Sequence, residues 1–134
     1  MYLDYASIRV RDILESLRFY GRGLGLLEIR RGRVGDDVHW ILLEDQTSRQ
    51  RLALHWYQPG SAPEVGRAAR GLDRFAVRTT DVDGLARRLI ENGAEPIGRV
   101  TGDRGADAYH VRDPNGIVIE LLPESHEVAV PVPA

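Results

Sequence analysis

Cysteine is absent from the 134 residues, which excludes a disulfide framework, a thiolate metal site and a nucleophilic thiol. Lysine is absent too, so all eighteen basic residues are arginine, a bias of coding composition that carries no functional weight here. There is no long apolar run: nothing approaches the ~18 residues of a membrane span. The opening MYLDYASIRV lacks the basic and then apolar layout of a secretory leader, so a cytoplasmic chain without membrane contact is expected. Nor is there an excess of one charge. Eighteen basic residues stand against twenty acidic ones, interspersed, for a net charge of -2, and nucleic acid is not an expected partner. Phosphate-binding loops, dinucleotide fingerprints, zinc-binding His pairs and nucleophile elbows are all missing, and the glycines of GRGLG follow a helix where phosphate binding needs them to precede one.

What is present suits one compact domain over 1–134, with 43% hydrophobic residues to build its core. Residues 4–10 (DYASIRV) alternate as a strand does. Ile13, Leu14, Leu17 and Tyr20 then recur at helical spacing behind Asp12, whose carboxylate can cap the first turn, with Glu15 in capping-box position and Gly21, Gly23 and Gly25 as the stop. LLEIRRGRV, HWILLED and RLALHWYQ read as three further strands, with Gly32 to Asp37 supplying one turn and QTSRQ the other. After a loop holding Pro59, Gly60, Pro63 and Gly66 the order begins again: a strand from Arg74, a helix capped by Asp81, and a stop at Asn92-Gly93.

The second half repeats the first. Matching Asp12 to Asp81 sets Tyr5 opposite Arg74 and Arg9 opposite Arg78, a constant offset of 69; at the strand-final ends LLEDQTSRQRLAL resembles HVRDPNGIVIEL, with Asp45 opposite Asp113 and, after a gap in the turn, Ala53 opposite Glu120. The reading is α+β: a βαβββ module over 1–58, a linker over 59–71, a second module over 72–123 and a tail over 124–134. The two modules are expected to form curved mixed sheets around a cavity, helices outside, with a homodimer as the expected assembly because each module buries only one sheet face.

IRVRDILESLRFYGRGLGL and VRDPNGIVIELLPE resemble the first-module and last-hairpin signatures of the vicinal oxygen chelate superfamily, the glyoxalase, bleomycin-resistance and extradiol-dioxygenase proteins. The resemblance implies that fold. In metal-dependent members it also implies four ligands, a His, a Glu, a second His and a second Glu. The matching positions here are Tyr5, Ala53 (or Arg51), Arg74 and Glu120, so only the last is retained. Arginine cannot deprotonate and repels a cation, so the expectation is no metal, with the Arg74 guanidinium set against the Glu120 carboxylate. Removing Arg74 would then strand a buried charge at on the order of several kcal/mol.

Other candidates each have two readings. His55, two residues after Ala53 and on the same strand face, is a general acid or base, or simply hydrogen-bonds beside Trp56 and Tyr57. Glu120, alone in an apolar strand, is neutralised by Arg74 or is a base raised by burial. Arg9 resembles the arginine that glutathione-using glyoxalases place near the cofactor's carboxylate; with Arg78 it docks an anion or merely lays its stem over apolar neighbours. Trp40, Trp56, Tyr57 and Tyr109 stack a planar ligand or pack the core. The inward or outward parity of His39 and His110 stays open, and His126 falls in the tail.

Three functions follow. The first is a metal-free cavity that binds a small planar or anionic molecule through Tyr5, Arg9, Trp40, Ala53, Trp56, Arg74 and Arg78. The second is a lyase, isomerase or dioxygenase-like enzyme with Glu120 or His55 as catalytic base. The third retains a divalent metal through an atypical set built on Glu120 and His55, with Tyr5, His39 or His110.

Overall fold

The computed structural model describes residues 1–61, 72–101 and 107–124. Most of the expected linker, 62–71, and the tail from residue 125, His126 included, lie outside the described residues.

Two four-stranded mixed sheets carry the chain. The first has the order β1-β4-β3-β2, from β1 (Ala6–Arg9), β2 (Leu27–Val34), β3 (Val38–Glu44) and β4 (Arg51–Tyr57). The second has the order β5-β8-β7-β6, from β5 (Arg74–Thr79), β6 (Glu95–Thr101), β7 (Asp107–Arg112) and β8 (Val118–Pro123). In each, the outer strand pairs parallel to the last strand of its module, β1 with β4 and β5 with β8, and the other pairings are antiparallel. Neither sheet closes into a barrel. The ladders also fix the internal repeat: Ser7 lies opposite Ala53 in one sheet and Ala76 opposite Glu120 in the other, so Ser7 and Ala76, 69 residues apart (76 − 7), hold equivalent places, and so do Ala53 and Glu120, 67 apart (120 − 53), the turn before the last strand being shorter in the second module.

Strand alternation decides which face is covered. Leu52 and Leu54 on β4, Ile41 and Leu43 on β3, and Ile119 and Leu121 on β8 are buried against the helices, while their neighbours in sequence point to the opposite, open face. The first helix starts as expected: Asp12 accepts from the amides of Leu14 and Glu15, both at 3.0 Å. The capping box is only half made, because the Glu15 carboxylate turns to Arg11 at 2.7 Å, an ion pair with the exposed guanidinium. Helix α1 (Ile13–Leu17) does not stop at Gly21 or Gly23. It widens into a π-helical turn, Arg18–Gly23, that buries Phe19 and Tyr20, and the chain breaks out at Gly25, which has a φ of 80°. Asp81 caps α2 (Val82–Glu91) by accepting from the Gly84 amide at 2.9 Å.

The modules meet through their helices and the last hairpin. Arg88 donates to the Gly23 carbonyl at 2.7 Å, and Arg18 donates to the Glu91 carbonyl at 2.8 Å. The Tyr20 hydroxyl donates to Asp113 at 2.6 Å, and the Asn115 amide donates to the Ser16 hydroxyl at 3.0 Å. One cluster of buried apolar residues, from Ile8 through Phe19 and Leu89 to Leu121, spans both modules. With the core on the helix side, the two open faces are left for a site.

Candidate functional site

On the open face of the first sheet lies a concavity of about 400 Å³. Cross-strand register assembles it. Trp40 pairs with His55, Leu42 with Ala53 and Glu44 with Arg51, so alternate residues of β3 and β4 rise side by side, and β2 adds Arg30 opposite Leu42. Ala53 is buried at the floor, Tyr5 is half-exposed at one side, and Trp40, Arg51 and His55 complete the wall. Five of the residues that sequence reasoning singled out, Tyr5, Trp40, Arg51, Ala53 and His55, are thereby gathered in one place.

His55 is held by the Ser7 hydroxyl, 2.5 Å from its Nδ1. Its ring stacks on that of Tyr57, with centroids 6.3 Å apart, and the Arg9 guanidinium lies over the same Tyr57 ring at 5.2 Å. Burial holds the imidazole below its ordinary pKa of 6.5, favouring the neutral ring. A histidine whose folded pKa is lowered binds fewer protons than the unfolded chain just below pH 6.5. Its contribution to stability is therefore complete above that pH and declines as the pH falls through the folded value. Melting temperatures taken from pH 7.5 down to pH 5 should show this decline, and His55→Gln should flatten it; an unchanged profile in the variant would assign the decline to other groups.

The equivalent face of the second sheet carries a different chemistry. Glu120 takes Ala53's place, and its Oε2 lies 2.8 Å from Nε2 of His110, its cross-strand partner, and 3.4 Å from Nη1 of Arg74. The anticipated pairing with Arg74 is therefore present, but it is the longer contact and Arg74 is half-exposed, with its Nε on Asp73 at 3.0 Å. His110 and Glu120 are the more buried pair, with side-chain exposures of 12% and 20%. An ionised carboxylate only accepts, so the contact is a hydrogen bond when the ring nitrogen facing Glu120 is the one that carries the hydrogen. Arg74→Ala should accordingly cost less than about 1 kcal/mol, as half-exposed ion pairs do. His110→Ala, which removes the closer partner of a mostly buried carboxylate, should cost roughly 1–3 kcal/mol. Chemical denaturation of both variants checks the order; the reverse order would make Arg74 the principal partner. The several kcal/mol that the sequence alone suggested for Arg74 is corrected by its exposure.

The remaining candidates divide by face. Trp56 and Tyr109 pack against the apolar core on the helix side, and His39 stands edge-on to Trp56 with ring centroids 5.2 Å apart, so none of the three shares the open face. Arg78 has the expected open-face parity, but its guanidinium donates to the Pro123 carbonyl at 3.0 Å at the end of β8. Arg30, one arginine among three in RRGR, was not singled out from sequence, and the facing of His110 was left open there, since its place opposite Glu120 follows only from the β7–β8 register.

The family model of the Glyoxalase/Bleomycin resistance protein/Dioxygenase superfamily matches residues 2–121. The chain belongs to this superfamily. Among solved structures, the glyoxalase family protein of Bacillus cereus superposes with a TM-score of 0.74 at 22% identity, covering 90% of this chain and 92% of that one. A glyoxalase/bleomycin resistance protein/dioxygenase domain from Frankia sp. EAN1pec gives 0.73 at 23% identity over 92% and 97%. The trypanothione-dependent glyoxalase I of Leishmania major gives 0.70 at 24% identity over 92% and 87%. At these identities the likeness is one of fold. No curated protein sequence matches the chain.

The four positions that resemble the superfamily's metal ligands hold Tyr5, Ala53, Arg74 and Glu120, and this donor set does not fit a divalent ion. Ala53 offers no donor atom, Arg74 sets a positive charge 3.4 Å from the one carboxylate oxygen it faces, and that same oxygen is engaged by His110. The atypical set is divided between sheets: Tyr5 and His55 line the first sheet, His110 and Glu120 the second, and His39 lies on the helix side. Among the described residues no three of His, Asp and Glu surround one point.

Proposed function

We propose that this member of the superfamily is a small-molecule binding protein whose cavity takes a planar or anionic organic compound without help from a metal, in the manner of the antibiotic-binding branch. The observation that supports it most is the concavity of about 400 Å³ on the first sheet, walled by two aromatic residues, Tyr5 and Trp40, and by arginines at 30 and 51. A homodimer belongs to the same reading, because each sheet leaves one face open and large apolar side chains such as Tyr5 and Val34 exposed on it. The test is a thermal-shift screen of planar organic acids against chelator-treated protein. A ligand at 100 times its Kd should stabilise the fold by about 2.7 kcal/mol, and Trp40→Ala should abolish the shift. The reading falls if no compound raises the melting temperature, or if a shift needs an added divalent ion.

The His110–Glu120 contact favours a second reading, acid/base catalysis by a lyase or isomerase. A carboxylate that fixes one imidazole nitrogen leaves the other to move a proton next to a carbonyl, and Arg74 stands close enough to stabilise developing negative charge. In this case Glu120→Gln should lower turnover by about 10²–10⁴-fold while leaving the melting temperature near that of the parent.

A further inference from the structure

Gly32 was expected in a turn, yet it sits inside β2 directly opposite Trp40. A Cβ built on Gly32 would stand 2.5 Å from Cζ2, 2.7 Å from Cε2 and 3.0 Å from Nε1 of the Trp40 indole. Atoms of both rings are thus in close reach of one backbone position: the indole is laid down against the strand, and only a residue without a side chain lets it lie there. Trp40 is half-buried on this bed and lines the concavity with Tyr5.

The charges around the concavity nearly cancel. Arg51 is engaged by Glu44 at 3.0 Å and by Asp4 at 3.2 Å. Arg30, which lines the same space, contacts no carboxylate among the described residues. Burial favours the neutral form of His55. One uncompensated positive charge beside an aromatic shelf therefore remains.

Resting on the binding reading above, we propose that the ligand of this cavity is an aromatic monoanion: a flat ring system that stacks on Trp40, with a single carboxylate-type group directed to Arg30. Gly32 acts as a positioning residue, setting the plane of the shelf. Neutral aromatics lose the Arg30 contact, and a second negative charge finds no further unpaired cation among the described residues lining the concavity, because Arg51 is held by Glu44 and Asp4.

The experiment uses the full-length chain with Trp56→Phe. The sequence has two tryptophans, so this leaves Trp40 as the one reporter, and Trp56 packs on the other side of the sheet. Fluorescence is titrated with 2-naphthoate and with its uncharged counterpart 2-naphthamide. The expected result is quenching by both, with the acid at least about 10-fold tighter, as one extra charged contact supplies. Arg30→Gln, at an exposed position, should remove that preference while the amide still binds. Gly32→Ala should weaken both at least about 10-fold, because the indole is displaced. Equal binding of acid and amide by the parent overturns the monoanion assignment and leaves the binding reading intact. Failure of both to quench overturns the assignment as well, and the binding reading then falls with it only if the thermal-shift screen is also empty. A preference for the acid that survives Arg30→Gln overturns the role of Arg30, and unchanged binding in a folded Gly32→Ala overturns the shelf.

Discussion

Replacing Asp113 by alanine is expected to destabilise the protein by about 3–5 kcal/mol. Asp113 is 4% exposed and serves four donors. Its Oδ1 accepts from the backbone amides of Asn115 at 2.8 Å and Ile117 at 2.7 Å, closing the turn between β7 and β8. Its Oδ2 accepts from the Tyr20 hydroxyl at 2.6 Å and from the Asn115 side chain at 3.2 Å. Alanine would take the acceptor away from the Tyr20 hydroxyl and from the amides of Asn115 and Ile117, while the Asn115 side chain keeps Ser16, at a cost of about 1–3 kcal/mol for each donor that water cannot reach. In a domain of this size the melting temperature should fall by roughly 3–4 °C for each kcal/mol. Tyr20→Phe removes one of the four and should cost much less; in the double variant the losses should not add, because the two groups share a bond. A fall of only a few degrees for Asp113→Ala would mean that water or a rearranged turn replaces the carboxylate.

Tyr20 gives the same bond a pH signature. Burial, and then the neighbouring Asp113 carboxylate, push the phenol well above its ordinary pKa of 10. A group whose folded pKa is raised stabilises the fold below the unfolded value, so the contribution is intact up to about pH 10 and is lost as the unfolded chain ionises above it.

The Asp113 turn was also the most legible feature of the sequence, because Asp-Pro-Asn-Gly specifies its conformation locally: Gly116 adopts a φ of 88°, and the amides reach back to the preceding aspartate. The internal repeat was legible for a similar reason, since an aspartate cap fixes where each helix begins, and everything before and after it counts from there. Gly32 was misread because glycine in a Gly-rich stretch is usually a turn residue, and only a cross-strand partner as large as Trp40 turns it into a packing position. The π-helical turn likewise has no local signature: Gly21 and Gly23 stay within it because burial of Phe19 and Tyr20 outweighs the helix-breaking tendency of glycine.

For the site, alternation along one strand was enough to group Ala53 with His55, and the resemblance to the superfamily's ligand positions was enough to set Arg74 near Glu120. Assigning Trp56 to the ligand side of the same strand overlooked that alternation, which sends it to the core with Leu52 and Leu54. The facing of His110 stayed open, because it depends on the register between β7 and β8, and a shift of one residue would send its side chain to the other face. Arg30 was hidden for a related reason: β2 carries a bulge between Glu28 and Arg30, and simple alternation across a bulge gives the wrong face.

The apolar core leads to the second large effect. Phe19 is fully buried and meets the Tyr20 ring edge-on, with centroids 4.8 Å apart. Truncation to alanine should cost about 3–5 kcal/mol, the transfer of the ring plus the void it leaves. The consequence reaches further than the first helix, because Phe19 belongs to a cluster that includes Leu54 on β4 and Leu121 on β8. Two modules that shared no core would unfold in two steps, and the variant would melt only the first. Sharing one cluster, they should unfold together, so Phe19→Ala should lower hydrogen-exchange protection of the Leu54 and Leu121 amides by similar amounts, about 10²–10⁴-fold at the 1.4 kcal/mol per tenfold of global opening. Loss confined to β4 would show that the modules are energetically separate, and that the cavity on the first sheet, whose floor and wall are Ala53 and His55 of that strand, depends on its own module alone.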